Sequence, residues 1–80
     1  MKKTIKLPTL ESLKNAKDGS KLFIYEKYYY EIKESHCFTK RNDKWNEYMG
    51  HRFTNDNMRW YLETLRDVAP YLYKVELKKN

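Results

Sequence analysis

Few side chains in this sequence could drive a reaction. Cysteine occurs once, at Cys37, and histidine twice, at His36 and His51. A thiol nucleophile needs a base within hydrogen-bond reach. Adjacent strand residues point to opposite faces, so His36 is misplaced to serve Cys37, and the register expected below puts His51 on the wrong face too. These three residues also lack the spacing and the fourth partner of a zinc site. With only two glycines, the chain has no glycine-rich loop for phosphate. Its carboxylates are scattered, without the pairing that separates an acid from a base. Catalysis, a bound metal and an organic cofactor are therefore not expected. Cys37 reads as a small hydrophobe. Having no second cysteine to pair with, it fits a reducing cytoplasm.

Binding chemistry is better represented. Lys and Arg number 17 against 11 Asp and Glu, for a formal net charge of +6, and the chain carries eight tyrosines. Four of these lie in YEKYYYEIK, residues 25–33. Such a balance favours nucleic acid, or an acidic or nucleic-acid-binding protein, as partner. A/T-rich codons also enrich Lys and Tyr, so the charge needs a spatial pattern before it argues for binding. A membrane is not expected, because no apolar run approaches the roughly 20 residues of a span. The start, MKKTIKLPTLESL, has the basic residues of a signal peptide without its apolar stretch.

The elements that must position these groups read as a single α+β domain over residues 1–80. Its terminal few residues, including Lys2, Lys3, Lys78 and Lys79, are expected to be mobile. Thr9 is a fitting N-cap for a short helix over Leu10–Lys17, and Gly19 suits the exit. Lys21 to Phe53 is dense in aromatic and β-branched residues and predicts a three-stranded antiparallel sheet. Its strands are a long first one through Ile32, then HCFTKR and KWNEYMGHRF, the last two joined by a turn at Asn42-Asp43. Met58, Tyr61, Leu62, Leu65, Val68 and Ala69 form one stripe, predicting an amphipathic helix from Asn57 to Ala69 that Pro70 stops. YLYKVEL closes the chain as a strand with Tyr71, Tyr73, Val75 and Leu77 on one face.

Alternation assigns the faces. Leu22, Ile24, Tyr28, Tyr30 and Ile32 should pack inward, with Phe23, Tyr25, Lys27, Tyr29, Glu31 and Lys33 outward. A two-residue Asn42-Asp43 turn sets Phe38 opposite Glu47 and Cys37 opposite Tyr48. Phe38, Trp45, Met49 and Phe53 then join the core, and Cys37, Thr39, Arg41, Lys44, Asn46, Tyr48 and Arg52 face out. The candidate binding residues are Tyr25, Lys27, Tyr29, Lys33, Arg41, Lys44, Asn46, Tyr48 and Arg52. Cations that hold phosphates, interleaved with rings that stack on bases, suit a non-enzymatic nucleic-acid-binding module. The alternative is a phage or mobile-element accessory protein, of the anti-restriction or anti-CRISPR kind, that inhibits a protein stoichiometrically through the same face. From Tyr28 to Leu65, three strands and a helix entered through RFTNDN, the layout is similar to the three-stranded DNA readers of integrase arms.

Overall fold

Thr9 opens the first helix as its type predicts. Its Oγ1 accepts a 3.1 Å hydrogen bond from the Ser12 amide, and α1 runs over Leu10–Asn15, two residues shorter than expected. The structure is a computed structural model describing residues 5–80; Lys2 and Lys3 lie outside the described residues. Gly19 leaves the helix region with φ 93, and a Cβ there would come within 2.7 Å of Asn80 Nδ2. Strands β1 (Lys21–Tyr28), β2 (Glu31–Arg41), β3 (Lys44–Glu47) and β4 (Arg52–Thr54) follow. The second helix, α2 (Asn55–Val68), and strand β5 (Leu72–Lys78) complete the chain. No helix among the described residues is long and apolar enough to cross a membrane.

The α+β class holds, but the sheet has five antiparallel strands rather than three, in the order β4-β3-β2-β1-β5. The expected long first strand is two strands, because the chain reverses at Tyr29–Tyr30 with Tyr29 at φ 58. Neither residue is a turn former. The reversal sets Leu22 opposite Phe38 and Ile24 opposite His36, and Leu22, Ile24 and Phe38 are all buried. Their burial outweighs the cost of about 1–2 kcal/mol for a left-handed residue with a side chain. Likewise KWNEYMGHRF is divided at Tyr48–Met49–Gly50, with Met49 at φ 55. The C-terminal strand joins this same sheet beside β1, so the three-strand layout of the integrase-arm readers is not reproduced.

Several inward assignments change with the turns. Tyr28, Tyr30 and Ile32 are exposed, because the ladder between β5 and β1 ends at Glu26 and the hairpin tip extends past the helices, and Met49 is exposed in the β3–β4 turn. A bulge opposite Tyr25/Glu26 shifts the alternation of β5. Leu72 is thereby buried, while Tyr71 and Tyr73 stay exposed and Val75 and Leu77 pack on the core. Elsewhere the expected register holds. Asn42 and Asp43 turn with φ 52 and 61, and Phe38 lies opposite Glu47. Tyr48, however, lies past the end of β3 and does not pair with Cys37.

Thr54 caps α2, its Oγ1 accepting from the Asn57 amide at 3.2 Å, so the helix begins two residues before the expected Asn57. Met58 and Leu62 are buried and Leu65 packs against the core. The helix meets Phe38 through Tyr61, at 6.1 Å between ring centroids, but not Tyr30 or Ile32, which are exposed.

The core also holds a cation that no local sequence signal marks. Lys40, 2% exposed, donates through Nζ to Leu13 O at 2.5 Å and to Asn55 Oδ1 at 2.9 Å. The same Asn55 oxygen accepts from Trp45 Nε1, and Asn55 Nδ2 donates to Asp43 Oδ1 at 2.9 Å. This bond holds the Asp43 carboxyl below its usual range, against the smaller effect of desolvation. One ammonium thus ties the end of α1 to the start of α2 and to the β2–β3 turn.

Candidate nucleic-acid interface

Strand pairing puts alternate residues of neighbouring strands on the same face. The face carrying Leu22, Ile24, Phe38, Trp45, Val75 and Leu77 is covered by the helices and the segment before α1. On the other face, among the described residues, nothing is fully buried. Lys78, Lys21, Thr39, Asn46 and Arg52 line up there as one row across all five strands. Four strand spacings make that row about 19 Å long. A second, shorter row beside it holds Arg41, Lys44 and Thr54. Neither row contains a carboxylate.

Local bonds fix the middle of this band. Arg52 Nε donates to Asn46 Oδ1 at 2.9 Å, and Asn46 Nδ2 donates to Lys44 O at 3.2 Å. Lys21 Nζ donates to Thr39 Oγ1 at 3.3 Å. Arg41, Asn42, Lys44, Asn46 and Arg52 line one hollow, and Lys21, Thr39, Arg41, Asn46, Glu47 and Tyr48 line the next. Among the described residues, no carboxylate oxygen lies within 4.0 Å of the charged nitrogens of Lys21, Arg41, Lys44 or Arg52. Their charge is open to solvent or to an anion.

The nine expected binding residues therefore separate. Arg41, Lys44, Asn46 and Arg52 come together as expected, and Tyr48 stands at their rim from the β3–β4 turn. Tyr25 and Lys27 share the face but lie further along β1. Tyr29 sits at the tip of the distant β1–β2 hairpin. Lys33 is on the opposite face, across from Glu26 and 3.7 Å from Glu31, because the hairpin reverses the alternation that one long strand would have kept. Lys21 and Lys78 are additions. Lys21 is signalled by its two-residue spacing from Phe23 and Tyr25. Lys78, expected in a mobile end, is the last residue of β5. Its ammonium lies 5.4 Å from the Phe23 ring centre and 3.9 Å from Glu76, so part of its charge is already answered.

The next rows on the same face are different in kind. Glu76, Phe23 and Cys37 form one, and Lys74, Tyr25 and Glu34 the other. Lys74 covers the Tyr25 ring at 4.8 Å, and the Tyr25 hydroxyl donates to Glu76 at 3.4 Å. Desolvation, then the charges of Glu76 and Glu34, push the Tyr25 pKa up. Burial, with Glu34, also raises the Cys37 thiol, against the lowering effect of Lys21. An activated thiolate requires the opposite shift.

The histidines serve another purpose. His36 lies across the sheet from Cys37's face, and its Nδ1 bonds Glu47 Oε2. His51 Nδ1 lies 3.4 Å from Glu47 Oε1 and its ring stacks on Phe53 at 5.2 Å. Desolvation opposes the charge of Glu47, but the His36 and His51 bonds hold its carboxyl below the usual range. Together they brace the turn that carries Tyr48. A Cβ on Gly50 would come within 2.6 Å of Glu47 Oε1, so a larger residue there would have to displace this carboxylate.

No protein-family model, no curated protein and no solved structure matches this chain.

Proposed function

We propose that this protein is a small nucleic-acid-binding module, working in the cytoplasm with its one thiol free, and that the uncovered sheet face makes the contact. The observation that carries the reading is the band of Lys21, Arg41, Lys44 and Arg52. These four cations lie on one face, unpaired by carboxylates and set around neutral donors, an arrangement suited to phosphate oxygens. Tyr48 beside them supplies one open ring. Fluorescence anisotropy with labelled, mixed-sequence nucleic acid at low salt tests this directly. Replacing Arg41, Lys44 and Arg52 together by Ala should weaken binding and flatten its salt slope by about 0.9 for each phosphate no longer neutralised. Equal weakening on removing any three lysines elsewhere would reduce the band to a general cationic effect.

A second reading is a stoichiometric inhibitor of another protein, acting through this same face. Tyr48, 88% exposed at the rim of that face, favours it, because tyrosine is enriched where proteins meet. A tight, salt-tolerant complex with one protein, and no binding to nucleic acid at low salt, would establish it in place of the first.

A further inference from the structure

Resting on the nucleic-acid reading, we infer that the ligand is a duplex, held by one of its phosphate backbones lying across the strands along the row from Lys21 to Arg52. Two features of the face point there. The first concerns the rings. A sheet that reads single strands offers open aromatic faces on which unstacked bases can lie. Here the two rings within the sheet face are each roofed by an ammonium, Phe23 by Lys78 and Tyr25 by Lys74. Tyr25 is further tied by its hydroxyl to Glu76. Among the described residues, Tyr48 alone remains open near the band, and a single ring does not make a platform for successive bases.

The second feature is the direction of the charge. A backbone running parallel to the strands would leave the basic rows and pass over Glu76 and then Glu34. A backbone running across them meets Lys21, Thr39, Asn46 and Arg52 in turn, with Arg41 and Lys44 alongside. The carboxylates thus fence one side of the band and the cations fill it. The row from Lys21 to Arg52 crosses three strand spacings, about 14 Å, long enough to follow a short run of consecutive phosphates on one strand. Contacts restricted to phosphate carry no base information, so sequence should matter little. A duplex keeps its bases stacked while its backbone is bound, whereas a single strand would have to bind here without the stacking that usually secures it.

The test compares one mixed-sequence 20-mer as DNA duplex, RNA duplex and each single strand, titrated by anisotropy at several salt concentrations. At least one duplex should bind tenfold or more tightly than either single strand. A scrambled duplex should bind within about threefold, and the slope of log K against log salt should lie near −3.6 for four neutralised B-DNA phosphates. Lys21→Ala and Arg52→Ala, at the two ends of the cation row, should each cost duplex affinity and about 0.9 of slope while leaving the circular dichroism melt unchanged. Glu34→Gln, outside the band, should change duplex affinity less than twofold. Single strands binding as tightly as duplex would overturn the inference while leaving the nucleic-acid reading intact. Absence of binding to every form at low salt would remove both.

Discussion

Two hairpin turns lie at opposite ends of β2, and they are built in opposite ways. Asn42–Asp43 uses residues that tolerate positive φ, and its Asp43 side chain is held by Asn55, which also accepts from buried Lys40. Tyr29–Tyr30 has one tyrosine forced to φ 58, and both rings stand in solvent. The first turn is fastened to the core through its side chains. The second exists because the strands leading into it are fixed elsewhere, by Leu22, Ile24 and Phe38 beneath the helices. Local residue type decides one turn, and remote packing decides the other.

The contrast can be broken most severely at the fastened end. Lys40→Ala would leave Leu13 O without its side-chain donor and open a hole beside Trp45. The expected loss is about 3–5 kcal/mol by urea unfolding, from the cavity together with the unpaired Leu13 carbonyl, a large share of what so small a domain has. A loss below about 1 kcal/mol would mean that water replaces the ammonium at little cost. Leu62→Ala, in the same core, should cost about 2–5 kcal/mol in the same assay.

The Tyr48 turn lies between the two extremes, being exposed yet braced by a carboxylate. Glu47→Gln should cost about 1–2 kcal/mol near neutral pH. The folded pKa of Glu47 is lowered, so its charge contributes stability that is present above the unfolded value of about 4.3 and is lost as pH falls through the folded value. The difference between wild type and Glu47→Gln should therefore shrink below about pH 4. A difference unchanged down to pH 3 would show that shape, not charge, braces the turn.

The smallest effects belong to the free turn. With positive φ at the first central residue alone, Tyr29 occupies the position that a type II′ turn gives to glycine. Tyr29→Gly should raise stability by about 0.5–1 kcal/mol, seen as a higher thermal midpoint. Tyr30→Ala should fall within about 0.5 kcal/mol of wild type.

Legibility in the sequence followed the same division. Thr9, Gly19, Asn42-Asp43 and the Met58-Leu62-Leu65 stripe carry local signals, and each element they mark formed. The Phe38–Glu47 register followed from the turn beside it, and with it the grouping of Arg41, Lys44, Asn46 and Arg52. Tyr29–Tyr30 and Tyr48–Met49 carry no such signal, because tyrosine and methionine favour strand or helix over a left-handed turn. Those unsignalled reversals put Lys33 on the other face and divide two of the expected strands. Lys40 shares the inward face of Phe38 by simple alternation, but its buried position depends on partners from three separate elements. Lys21 joined the band only once β1 had neighbours on both sides.

Lys40 also has a chemical consequence. Exposed lysines such as Lys21 and Lys44 should acylate readily with an amine-directed reagent, while Lys40 has its nitrogen enclosed and hydrogen-bonded. For it to react, α1, α2 and the β2–β3 turn must first part, which is close to complete opening of the domain. A peptide map of labelling against time would then separate Lys40, as a slow site, from the exposed lysines among the described residues. The rate at that slow site would report how often the whole molecule opens under native conditions, with no denaturant and no added probe.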